Sequence, residues 1–147
     1  MTFLVDTNVF VYAFRPSADP RRERAIQVLS SLIAGGSGVV STQVLSEFAR
    51  VALQKSPRVP FDVLYDVLEN VDRRFRVVPV TSQIVIEAVR GATRFGMSFF
   101  DAQIWAAARL NQVPVILSED FSHDQTIEGV LFLDPFTKGF DPSRLVA

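Results

Sequence analysis

Five short apolar runs, set apart by stretches of helical periodicity, constrain this chain more than any other feature. They are Phe3–Val5, Val39–Ser41, Phe75–Val80, Pro114–Leu117 and Gly129–Leu133. Each has the length of a buried strand. Between them the apolar residues recur at helical spacing. Val28, Leu29 and Leu32 share one face of a stretch opened by Asp19-Pro20 and closed by Gly35-Gly36. Val44, Phe48, Val51 and Ala52 mark a helix from about Thr42 to Lys55, capped by Ser41 or Thr42. Further helices are predicted over 61–73, 82–95 and 98–110, the last carrying Ala106-Ala107-Ala108, small enough for close packing on a sheet or a neighbouring helix. Strands alternating with helices argue for an α/β protein with a mostly parallel sheet.

The first run ends in Asp6-Thr7-Asn8, three helix-capping residue types, and an apolar stretch from Val9 to Phe14 follows. A carboxylate is therefore expected at the carboxyl end of a central strand, beside a helix N-terminus. In open α/β sheets ligands bind at that edge. The fourth run behaves alike, passing directly into Ser118-Glu119-Asp120.

The chain has 147 residues, 48% of them apolar, which suits one globular domain spanning 1–147. No apolar run approaches the roughly 20 residues of a membrane span. No basic segment precedes an apolar one at the N-terminus, so no signal peptide is expected and the cytoplasm is the expected compartment. The sequence has no cysteine, which excludes disulfides and thiolate metal sites. Net charge is −1, so any electrostatic partner must be met by local patches. All of the 15 basic residues except Lys55 and Lys138 are arginine, a side chain suited to bidentate phosphate contacts. Arg15, Arg21, Arg22 and Arg24 form one group, and Arg73, Arg74 and Arg76 another. Each reads as a solvated face or as part of a nucleic-acid surface.

Four acids can meet at one edge. Asp6 and Asp120 follow parallel strands. Glu47 lies early in the helix after the second strand, and Asp101 in the first turn of its helix. Each also has a structural reading: Asp6 as a cap, Glu47 as a surface residue paired with Arg50, Ser98 to Asp101 as a capping box, and Asp120 as part of a turn. Together they form a carboxylate cluster with no thiolate and no spare histidine, a donor set for Mg²⁺ or Mn²⁺. His123, the sole histidine, reads as a solvated loop residue, and Glu119 and Asp124 as peripheral.

Four segments in this order resemble the PIN-domain family, in particular VapC-like toxins of type II toxin–antitoxin systems. They are Phe3-Leu-Val-Asp-Thr-Asn8, Ser41-Thr-Gln-Val-Leu-Ser-Glu47, Ser98-Phe-Phe-Asp-Ala-Gln-Ile-Trp105 and Leu117-Ser-Glu-Asp-Phe121. The resemblance implies a three-layer α/β/α fold with a mostly parallel five-stranded sheet. It also implies a Mg²⁺- or Mn²⁺-dependent ribonuclease, a homodimer, and a cognate antitoxin protein as partner. Carried over by residue, it implies a catalytic and metal-binding set of Asp6, Glu47, Asp101 and Asp120, with Asn8 and Ser118 as accessory polar groups. Asp6 and Asp101 are expected to bind the metal directly, Glu47 and Asp120 directly or through water. Near Asp124 many family members carry glycine.

Two other readings compete. A phosphatase with Asp6 as nucleophile would want a second aspartate two residues on, where this chain has Asn8. A catalytically silent PIN-like module would bind RNA or protein without turnover.

Overall fold

The computed structural model describes residues 1–146. Its elements follow the expected alternation: β1 (Phe3–Val5), α1 (Thr7–Phe14), α2 (Arg21–Gly35), β2 (Gly38–Ser41), α3 (Thr42–Gln54), α4 (Phe61–Arg74), β3 (Arg76–Val78), α5 (Ser82–Phe95), α6 (Phe99–Leu110), β4 (Val115–Leu117), β5 (Gln125–Ile127) and β6 (Val130–Leu133). A single 3₁₀ turn, Pro142–Leu145, follows. The strand order is β3-β2-β1-β4-β6-β5, parallel throughout except for β5, which runs antiparallel to β6. The result is a mostly parallel α/β sheet flanked by helices.

The sheet has six strands where five were expected. The extra strand, β5, is a polar edge that no apolar run announces; Gln125 and Thr126 are exposed. It joins β6 through Glu128-Gly129, whose φ angles of 44° and 82° are both positive. Two such residues make the tight turn that suits a two-residue hairpin. A glutamate at the first position hides that turn in the sequence. The third strand is also shorter than the apolar run suggests, because Pro79 lies just beyond Val78 and has no N–H to extend the ladder.

The core explains why the central strands read as apolar throughout. All three residues of β1 and of β4 are buried, as parallel strands covered on both faces must be. Ala106, Ala107 and Ala108 are fully buried, as their size predicts. Trp105 lies beside them, also fully buried, and its indole N–H donates to the Ile127 carbonyl at 3.2 Å. A Cβ on Gly91 would stand 2.6 Å from the Trp105 ring, so glycine is what lets α5 close onto α6. The hairpin turn is held from the same side. Arg90 and Arg109 each pair with both Glu87 and Glu128.

This topology fixes where a site can lie. The chain leaves β1 towards β2 and β3 on one side, and β4 returns to its other side. The strand order therefore reverses between β1 and β4, the place where open α/β sheets leave a crevice at their carboxyl ends.

Candidate active site

The crevice begins with strand register. Val5 of β1 pairs with Leu117 of β4, so the next residues, Asp6 and Ser118, stand side by side. The Ser118 hydroxyl donates to Asp6 Oδ2 at 2.7 Å. Asp6 Oδ1 accepts from the Thr7 N–H at 2.7 Å, so Asp6 is a helix cap as well as a crevice residue. It is only 4% exposed. Burial pushes its carboxyl from 3.8 up to about 7. The hydrogen bonds from Ser118 and Thr7 oppose that rise, and the negative charges of Asp120 and Asp101 add to it.

Ser118 is fully buried and uses its whole hydrogen-bonding capacity. Besides donating to Asp6, its Oγ accepts from the Asp120 N–H at 3.0 Å and from Asn8 Nδ2 at 3.3 Å. Asn8 Nδ2 also donates to Asp120 Oδ2 at 3.3 Å. The other end of that amide, Asn8 Oδ1, is buried without a hydrogen-bond partner. Asp120 lies at the open rim. Its carboxyl is raised above the usual range, first by desolvation, then by the charges of Asp101 and Glu119, and less by Glu47; Asn8 acts the other way.

Glu47 and Asp101 arrive on helices. Glu47 is half-buried on α3, and both its oxygens are held. Thr7 Oγ1 donates to Oε2 at 2.9 Å, and Gln43 Nε2 donates to Oε1 at 3.1 Å. The Arg50 pair expected for a surface glutamate does not form among the described residues; the donors come from α1 and from one turn back on α3. Asp101 is half-buried in the first turn of α6. The capping box expected over Ser98 to Asp101 is also absent, since the Ser98 side chain makes no cap hydrogen bond. Among the described residues Asp101 has no hydrogen-bond or ion-pair partner, yet its charge raises both Asp6 and Asp120.

The charges of Asp101 and Asp120 thus reach Asp6, and those of Asp101 and Glu47 reach Asp120, at the carboxyl edge. The four predicted acids do not form a finished ligand set: among the described residues no three acidic or histidine side chains are grouped to hold a metal ion as they stand. Their donor chemistry fits a hard divalent cation, being oxygen throughout. A cation would also relieve the repulsion recorded at Asp6 and Asp120.

Of the residues read as peripheral, Glu119 borders the cleft and its charge raises Asp120, and His123 is half-buried rather than solvated. Glu119 accepts from the Tyr12 hydroxyl at 2.6 Å and pairs with Arg21 at 3.3 Å. His123 Nδ1 accepts from the Asp134 N–H at 3.0 Å, pinning the loop to the end of β6. Asp124 pairs with His123 and Arg144 and has a φ of 64°. That left-handed backbone is where glycine is at home.

A cleft beside the acids is lined by Thr7, Asn8, Glu47 and Asp120 together with Arg15, Arg50 and Lys55. A second hollow shares Glu47 and Arg50 with it and runs to Gln43, Gln103 and Phe100. The Phe100 side chain is 60% exposed. Sequence reasoning missed Thr7, Gln43 and Gln103 as partners of the site. Gln43 could have been found, because it precedes Glu47 by one helical turn on the same face.

The fold and this edge define a class: an α/β protein with an acidic crevice where the strand order reverses between β1 and β4. The PIN domain family model matches residues 3–128, and the chain belongs to that family. A toxin–antitoxin complex from Klebsiella pneumoniae shares the fold at a TM-score of 0.68 and 18% identity, over 92% of this chain and 98% of that one. VapC20 of Mycobacterium tuberculosis, described as a Sarcin-Ricin loop cleaving toxin, gives 0.63 and 19%, over 78% and 87%. VapBC2 from Rickettsia felis, bound to a DNA fragment from its promoter, gives 0.65 and 14%, over 90% and 97%. A comparison with curated proteins finds no match.

Proposed function

We propose that this chain is a metal-dependent endoribonuclease, the toxin component of a type II toxin–antitoxin system acting in the cytoplasm. It would hydrolyse RNA phosphodiesters at Asp6, Glu47, Asp101 and Asp120. The observation that carries the reading is the placing of Asp6: a buried carboxylate where the strand order reverses between β1 and β4, held by Ser118 and Thr7, with the charges of Asp120 and Asp101 reaching it.

Mg²⁺, or Mn²⁺ in its place, would be held by those four carboxylates and would supply a lowered pKa for the attacking water and charge relief at the phosphate. The chain's own residues do the rest. Ser118 and Thr7 hold Asp6 in one orientation, and Asn8 holds Asp120. Arg15, Arg50 and Lys55 would hold RNA phosphates along one arm of the cleft. Phe100 would offer a base a surface to stack on in the other.

For partners, an apolar groove between α1, α2 and α4, lined by Phe10, Phe14, Leu29, Ile33 and Val71, suits a helix of the cognate antitoxin. Val85, Ile86 and Val89 on α5 are exposed and suit a homodimer contact. No described helix is long and apolar enough to cross a membrane. One observation favours the silent-module alternative: among the described residues no three acids are grouped to hold an ion as they stand.

The test is cleavage of a mixed RNA pool by purified protein, with Mg²⁺ or Mn²⁺ and with EDTA, beside Asp6→Asn. Metal-dependent cleavage that the variant loses supports the nuclease. Equal cleavage by the variant removes Asp6 from the site. RNA binding without turnover in either metal supports the silent module.

A further inference from the structure

Five buried side chains in the described structure are polar or charged: Asp6, Ser41, Gln43, Gln103 and Ser118. Asp6 and Ser118 belong to the crevice, and Ser41 caps α3 through the Val44 N–H. The two glutamines have no part in the proposed reaction. A buried amide is costly unless its hydrogen bonds are made, and here they are made in one line towards the acids. Gln103 Nε2, on α6, donates to Gln43 Oε1 at 2.7 Å. Gln43 Nε2 donates to Glu47 Oε1 at 3.1 Å and to the Phe100 carbonyl at 3.1 Å.

These partners fix which way the Gln43 amide faces. Its oxygen must meet the Gln103 amide hydrogen, and its nitrogen must meet the carboxylate and the carbonyl. Two donors and an acceptor on one flat group are what an amide offers and a carboxylate or hydroxyl does not. Thr7 takes the other Glu47 oxygen, so the carboxylate is gripped from both sides. Phe100 is the residue before Asp101. The same amide therefore touches the Glu47 carboxylate and the peptide that leads into Asp101.

We infer that Gln43, backed by Gln103, is a positioning residue that sets Glu47 and Asp101 relative to each other and so tunes the affinity of the acidic site for a divalent cation. The inference rests on the metal-dependent nuclease reading. It assigns the glutamines no contact with the reacting atoms. Their effect runs through the two acids.

The test uses the full chain with MnCl₂ as probe. Gln43→Met keeps the volume and removes both donors, so the core stays filled. The expected result is Mn²⁺ binding weakened by about tenfold or more in calorimetry, the scale on which ligand-orienting groups act. Cleavage should lose kcat with KM within about twofold. In metal-free protein, the Ala102 amide, which donates to the Ser98 carbonyl, should exchange about tenfold faster while those of β1 and β4 stay as they were. Added to Glu47→Ala, Gln43→Met should cost less affinity than it does alone, because only the contact leading to Asp101 is left to lose. If Gln43→Met does not fold, Gln103→Met, one bond further from the carboxylate, carries the same test.

Wild-type Mn²⁺ affinity in the glutamine variants, beside an Asp6→Asn control that loses it, overturns the inference and leaves the nuclease reading standing. A wild-type protein that neither binds Mn²⁺ nor cuts RNA overturns both.

Discussion

Replacing Asp6 by asparagine should make the metal-free protein more stable at alkaline pH while destroying the site. The Asp6 carboxyl titrates at 3.8 in the unfolded chain and at about 7 in the fold. A raised carboxyl favours the folded state while it stays protonated. Its contribution is complete below about 3.8 and is lost as pH rises through 7. Over that span each pH unit is worth 1.36 kcal/mol, giving about 4 kcal/mol in all and about 2 kcal/mol between pH 5.5 and 8. Asp120 is raised too and adds to the slope. Glu87 and Glu128 are lowered by their arginine partners, but their contribution is lost only as pH falls below the ordinary value of 4.5, outside this window. Asparagine keeps an acceptor for the Thr7 N–H. Its amide nitrogen, however, meets a Ser118 oxygen that already accepts twice, a penalty of about 1 kcal/mol. The assay is urea unfolding in EDTA at pH 5.5 and pH 8. Wild-type protein should lose about 2 kcal/mol across the interval, and Asp6→Asn should lose far less and be the more stable of the two at pH 8. A flat wild-type profile, or equal slopes in both proteins, refutes the reasoning.

Three further outcomes follow from the same geometry. Asp101→Asn should cut metal-dependent RNA cleavage by about a hundredfold or more while shifting unfolding in urea by less than about 0.5 kcal/mol, since Asp101 has no bonded partner to lose. Arg50→Ala should weaken RNA binding at every sequence tested and reduce the slope of log affinity against log salt by about one, read by fluorescence anisotropy at several KCl concentrations. Gly91→Ala should destabilise the fold by about 1–3 kcal/mol, because its Cβ would stand 2.6 Å from the Trp105 ring; a thermal melt no lower than wild type would count against that packing.

The central strands and the helices were legible because they bury one face or both, and burial writes itself as apolar spacing. The outer hairpin was not. β5 is polar, short and at an edge, and its turn uses Glu128 where asparagine or aspartate is the usual sign. The acids were legible for a different reason. Strand ends and helix starts can be placed from sequence, and parallel topology sends both to one edge. What could not be read was which donors would reach them. Glu47 is held by Thr7 from a helix 40 residues away along the chain, and Ser98 leaves Asp101 uncapped. Side-chain partners across such distances depend on strand register and helix orientation, which periodicity leaves open. The amide chain from Gln103 through Gln43 stayed hidden on the same ground, although its last step lies within one turn of α3.

The small antiparallel hairpin also bears on how the protein keeps its molecules apart. Without β5, the outer flank of β6 would offer free N–H and C=O groups along Val130–Leu133, a strand with three buried residues, to any neighbouring chain seeking a β partner. Gln125 and Thr126 present that flank to solvent as polar side chains, and Asp124 and Glu128 bracket it with charge. Arg90 and Arg109 anchor the tip by ion pairs at the half-exposed surface, where dissolved salt competes. Concentrated salt would therefore loosen the cover before the core, and self-association through the sheet margin would rise ahead of unfolding.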